Sequence, residues 1–129
     1  PSTSSAASDV YKRQAIDRSK PKEAIMKTLK DGSDRLSNGM YVLLFPEGTR
    51  VEAGRVGNYA RSSFELAKRN NVMVLPICHN SGDCWPAHKF VKRAGTIKLI
   101  LGKPFYVKDS KDSAEKVQSW VENTLMDKV

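Results

Sequence analysis

The sequence predicts an α/β fold in which a central, mostly parallel sheet is flanked by helices, and three observations predict it. Met40 to Phe45 and Val72 to Ile77 are both nearly unbroken apolar runs of strand length, as expected of strands buried on both faces. A helix-period segment lies between them, which makes a β-α-β unit with parallel strands. The C-terminal residues Val117, Trp120, Val121 and Leu125 fall on one helical stripe able to close a sheet face.

Each element follows from its local chemistry. Ser19 near a cap position, Pro21 in the first turn, and Ile25, Leu29 and Leu36 at helical spacing predict a helix over 21–36. Asn38-Gly39 is a turn, and Pro46 stops the strand of 40–45 because it lacks an N–H to donate. Ala60, Phe64 and Ala67 predict a helix over 58–69, ended by Asn70-Asn71. Gly82, Pro86 and Gly95 mark an irregular segment before a third strand over 96–101, with a short extension at 105–107. Asp112 with Glu115 reads as a capping-box start for the last helix.

With 129 residues and 40% apolar composition, the chain has the size and content for one modest core. No run approaches the roughly 18 to 20 apolar residues of a membrane-spanning helix. Cys78 and Cys84 are too few for a disulfide framework, which favours a reducing location. Residues 1–14 are rich in Ser and Ala and read as disordered, and Val10-Tyr11-Lys12-Arg13-Gln14 resembles translated sequencing-adaptor text, so this stretch is treated as non-native. The net charge is +8, and without 1–14, which carries Asp9, Lys12 and Arg13, the excess is still +7. Such a surface favours an anionic partner: nucleic acid, an anionic lipid surface or a phosphorylated small molecule.

The residues most suited to chemistry are Phe45-Pro46-Glu47-Gly48-Thr49-Arg50, at the carboxyl end of a predicted strand, where ligands of open α/β sheets gather. Arg50 offers a planar fork for bidentate phosphate binding, Gly48 permits close backbone approach, and Thr49 adds a hydroxyl. Glu47 has two uses open to it, orienting Arg50 or accepting hydrogen bonds from a polyol. The plain alternative is a tight turn carrying a surface Glu47–Arg50 ion pair, worth about 0 to 1 kcal/mol. Cys78, His79, Cys84 and His88 invite a zinc reading, but adjacent strand residues face opposite ways, so Cys78 and His79 do not suit one tetrahedral site and no metal is expected. A buried Cys and a loop-fixing His at a strand end is the plainer account. Lys89, Lys92 and Arg93, interleaved with Trp85 and Phe90, fit a solvated basic face or a lipid and cofactor contact equally.

These residues carry a resemblance to a known family. Phe45 to Arg50 resembles the third sequence block of the glycerophosphate and lysophosphatidate acyltransferases, Ile16-Asp17-Arg18 the end of their second, and Val74-Leu75-Pro76-Ile77 their fourth. The blocks occur in family order, and the likeness runs from about Ala15 to Phe105. It implies a glycerolipid acyltransferase-like fold, with 15–129 as the C-terminal part of the domain. It implies that Arg18 and Arg50 bind the acceptor phosphate, that Glu47, Gly48 and Thr49 shape the glycerol pocket, and that Pro76 supports the acyl-donor side. The implied partners are lysophosphatidic acid, acyl-CoA or acyl carrier protein as co-substrate, and an anionic membrane surface. No cofactor and no nucleic acid are implied, and the implied location is the cytoplasmic face of a membrane, peripheral or anchored by upstream sequence. The family's first block, a His followed by four residues and an Asp, does not occur. His79 has Asp83 one position short of that spacing, and His88 has Arg93 at the required position. Truncation at the N-terminus is the expectation, leaving no catalytic residue in these 129 and a chain inactive by itself. Members commonly carry a Lys and a Gly near Ala60 and Ser62, and Arg61 is a substitute for the lost charge. The rival is a non-enzymatic basic module for anionic lipid or nucleic acid, and within the enzyme class the acceptor could be glycerol-3-phosphate or another lysophospholipid.

Overall fold

A computed structural model describes residues 19–128, so Arg18 and the 1–14 segment lie outside the described residues. Helix α1 spans Pro21–Ser37, with Pro21 in its first turn and Asn38 closing it through its side-chain amide, which donates to Asp34 O at 2.8 Å. Its buried residue is Gly32, on the same stripe as Ile25, Leu29 and Leu36. There α1 meets helix α2, Ser62–Asn70: a Cβ on Gly32 would lie 2.5 Å from Leu66 Cδ2. The missing side chain is what lets the two helices approach, and Asn70 Nδ2 donates to Ser33 Oγ at 2.9 Å to fix their register.

Helix α2 begins at Ser62, later than the expected 58, and the N–H groups just ahead of it bond to distant acceptors. Tyr59 N–H donates to Gln118 Oε1 at 3.2 Å, and Ala60 N–H to Pro46 O at 2.8 Å. Asn71 ends the helix in the left-handed region (φ 49), which Asn tolerates better than most residues.

The parallel sheet expected from the sequence is not formed among the described residues, where every strand pairing is antiparallel. Strand β1 (Met73–Val74) pairs with β4 (Phe105–Tyr106), and β2 (Ile77–His79) pairs with β3 (Leu99–Leu101). Two residues separate Val74 from Ile77, whereas three separate their partners Leu101 and Phe105. The two ladders are thus separate two-stranded pairs offset by one extra residue on the 102–104 side, a bulge that faces Pro76, which cannot donate to a ladder. Across the bulge, Gly102 N–H donates to Pro76 O at 2.8 Å. Residues 40–45 form no strand. An extended segment becomes a strand only with a hydrogen-bonding neighbour, and none of the described residues supplies one. Tyr41, Leu43 and Phe45 are exposed along this segment.

Helix α3 is a single turn, Ser81–Cys84, and α4 runs Ser110–Lys128. The cap of α4 is Asp109, three residues before the expected Asp112: Asp112 N–H donates to Asp109 Oδ1 at 2.9 Å. Its buried positions Ala114, Val117 and Val121, with partly buried Trp120 and Leu125, pack on Phe64, Ala67, Cys78 and Val107 to form the core.

Candidate active site

The turn at 46–50 is set by a hydrogen bond from Gly48 N–H to Phe45 O at 3.0 Å, with Gly48 at φ +71, a conformation that glycine alone adopts without strain. Glu47 is half-buried, and its Oε2 accepts from Gly57 N–H at 3.1 Å. A side chain at Gly57 would crowd that carboxylate, since a Cβ would stand 3.2 Å from Glu47 Oε2. The carboxylate therefore clasps a loop ten residues downstream. The surface Glu47–Arg50 ion pair is not among the ion pairs of the described residues, and Arg50 and Thr49 are exposed.

Beneath the loop, Tyr59 connects the site to the core. Burial, and then the negative charge of Glu47, hold its phenol protonated far above the ordinary value of 10. The phenol therefore keeps its proton, and with it the ability to donate a hydrogen bond, over the working pH range. Gly57 and Tyr59 were invisible to motif reading. The one signal available was the Gly57-Asn58-Tyr59 interruption ahead of the helical stripe.

Pro76 is distant from this turn in sequence and serves the bulge. A Cβ at Gly102 would lie 2.7 Å from Pro76 Cγ and 3.1 Å from Trp120 Cζ2, so glycine is what fits between the two rings. His79 is exposed, and its Nδ1 lies 2.8 Å from Ser81 Oγ at the start of α3. Cys78, on the opposite face, is 1% exposed, and burial pushes its thiol up. Arg61 is exposed and lines a groove of about 530 Å³ with Ile25, Leu29, Glu65 and Ser110. Glu47, Gly48, Thr49 and Arg50 do not line it.

The turn at the end of the apolar segment therefore combines an exposed guanidinium, Arg50, with a carboxylate, Glu47, held by a backbone amide, an arrangement chemically able to receive an anion. A family model described as Acyltransferase matches residues 5–80, and the chain belongs to that family. Over 116 residues it is 37% identical to the 1-acyl-sn-glycerol-3-phosphate acyltransferase of Pseudomonas aeruginosa, covering 86% of this chain and 45% of the relative. The chloroplastic 1-acyl-sn-glycerol-3-phosphate acyltransferase of Arabidopsis thaliana is 32% identical over 80 residues, 60% of this chain and 22% of that protein. The crystal structure of the 1-acyl-sn-glycerophosphate acyltransferase PlsC from Thermotoga maritima superposes with a TM-score of 0.69 at 24% identity. That match covers 76% of this chain and 42% of PlsC, and it establishes a shared fold. The chain thus spans less than half the length of these relatives.

Proposed function

We infer that this chain is the acceptor-binding part of an enzyme that transfers a fatty acyl group from acyl-CoA or acyl carrier protein to 1-acyl-glycerol-3-phosphate, giving phosphatidic acid. The observation that carries the reading is the Phe45–Arg50 turn, with Arg50 exposed outside any described ion pair and Glu47 fixed by the Gly57 amide. In this reading Arg50, with Arg18, binds the acceptor phosphate. Gly48 and Thr49 border the glycerol, and Glu47 acts by holding the loop in place. Pro76 sits on the acyl-donor side.

The reaction requires a base to take the acceptor hydroxyl proton while that oxygen attacks the thioester carbonyl. The ester C–O bond forms, the C–S bond breaks, and the thiolate leaves to be protonated. The base is a histidine of a His-x4-Asp block. Neither His79 nor His88 has an Asp at that spacing. The phosphate clamp supplies the binding energy that aligns the hydroxyl. Lysophosphatidate and its product are membrane lipids, which supports a membrane location, and the cytoplasmic face is the side proposed.

The test is kinetic, in an enzyme carrying this chain together with the His-x4-Asp block. A charge-assisted contact of about 1.5 to 3 kcal/mol makes Arg50→Ala lower kcat/KM on lysophosphatidate by about tenfold to a hundredfold, with Arg50→Lys recovering part. Equal rates for wild type and both variants would remove Arg50 from the acceptor site. A stronger effect on glycerol-3-phosphate would reassign the acceptor.

A further inference from the structure

Between Asp83 and Asp109 the sequence holds no acidic residue and six cations: Lys89, Lys92, Arg93, Lys98, Lys103 and Lys108. Most of the chain's net +8 is therefore concentrated in one fifth of its length. The ion pairs Lys20–Glu23, Lys27–Asp31, Arg55–Glu52 and Arg69–Glu65 all lie elsewhere, and none of these six cations takes part in them. Every residue from His88 to Leu99 is exposed, including Phe90 at 96% and Val91 and Ile97, which a purely solvated face would not need. The segment is nonetheless anchored at its base. Arg93 N–H donates to Cys84 O at 2.7 Å, and the Asn80 side chain accepts from Lys98 N–H at 2.7 Å. Lys92 Nζ stands 4.5 Å over the Trp85 ring, so an aromatic and a cation are presented together.

We propose that the segment of residues 85–98 is a membrane-docking surface that seats on an anionic bilayer, with Phe90, Val91 and Trp85 entering the interface and Lys89, Lys92 and Arg93 meeting lipid phosphates. Charge complementarity selects the partner, and exposed aromatics select a surface with an apolar interior over a purely polar polyanion. The proposal deepens the membrane placement inferred above and rests on it. Partition is therefore measured without turnover, so that the two can fail separately.

The experiment is sedimentation of the chain with phosphatidylcholine vesicles prepared with and without phosphatidylglycerol, alongside Trp85 fluorescence. Binding requires phosphatidylglycerol and weakens with salt, and Trp85 emission shifts to the blue, a shift that Trp85→Phe abolishes. The triple variant Lys89→Gln, Lys92→Gln, Arg93→Gln loses about a hundredfold in partition, at about fivefold per cation. Phe90→Ser weakens binding about tenfold with an unchanged thermal melt. Lys22→Gln, an exposed cation on α1 outside both the patch and the acceptor turn, leaves partition intact. The proposal is overturned if the triple variant binds like wild type. It is equally overturned if Lys22→Gln matches the triple variant, or if Leu43→Ser abolishes binding while Phe90→Ser does not. Displacement from vesicles by adenosine bisphosphate would reassign the patch to a nucleotide. Tight binding to single-stranded RNA that ignores Phe90→Ser would reassign it to nucleic acid.

Discussion

Ile77 and Cys78 are neighbours on one short strand, yet Cys78 is 1% exposed and Ile77 39%. The face carrying Cys78, Val74 and Ile100 lies under α2 and α4, while the face carrying Ile77, Leu99 and Leu101 meets solvent. Apart from His79, which pairs with Leu99, the open face is as apolar in sequence as the covered one. The difference shows that in this molecule burial is decided by which helices reach a face, and that apolar character alone is an unreliable guide to where the core lies.

The contrast can be broken most forcefully at its buried side. Phe64→Ala should cost about 3 to 5 kcal/mol, whereas Leu43→Ala on the open side should change stability by no more than about 0.5 kcal/mol. Urea melts of the two variants decide it, and comparable losses would mean that residues 40–45 are packed in solution. Gly102→Ala is the intermediate case. Its methyl group would be caught between the Pro76 and Trp120 rings, neither of which folds away as a flexible chain would, so a loss of about 1 to 3 kcal/mol is expected. An unchanged midpoint would show that the bulge relaxes.

The smallest effect belongs to the solvent-facing cap of α4. The Asp112 amide, donating to Asp109, lowers that carboxyl below its ordinary value of 3.8. A depressed folded-state value means that the unfolded chain binds the proton first on acidification. The charge contribution is therefore fully present above about pH 4 and is lost as pH falls through the lowered value. Asp109→Asn keeps the cap and removes the charge, so its melting temperature should lie slightly below wild type at neutral pH and converge with it in acid. A gap that persists at low pH would trace the effect to geometry.

The helices were legible because their signals are local. Pro21, the 25-29-36 spacing and the Asn70-Asn71 break placed α1 and the end of α2 within a residue or two. The strands were not, because a pairing direction is a property of two segments. The run at 40–45 reads as a buried strand whatever lies beside it, and Pro76 inside the second run was a sign of the bulge that the apolar pattern overrode. In the candidate site, Glu47 through Arg50 are proposed from their block, whereas the bond from Gly57 to Glu47 spans a distance no motif encodes. The bonds from Tyr59 and Ala60 to Gln118 and Pro46, just ahead of α2, are likewise long-range and carry no local signal.

The clasp between Glu47 and Gly57 makes the intervening stretch a tether with both ends fastened. Arg50 stands two residues from Gly48, and two residues span at most about 7 Å of backbone. The guanidinium therefore samples a small sphere beside the turn, and its local concentration there stays high however the rest of the loop moves. Closure entropy grows slowly with loop length, by about 0.6 kcal/mol per doubling. Residues inserted near Gly54, at the far end of the loop, would lengthen the tether without lengthening Arg50's leash, so the stretch between Glu52 and Arg55 is where the chain has room to vary in length while the cation keeps its post.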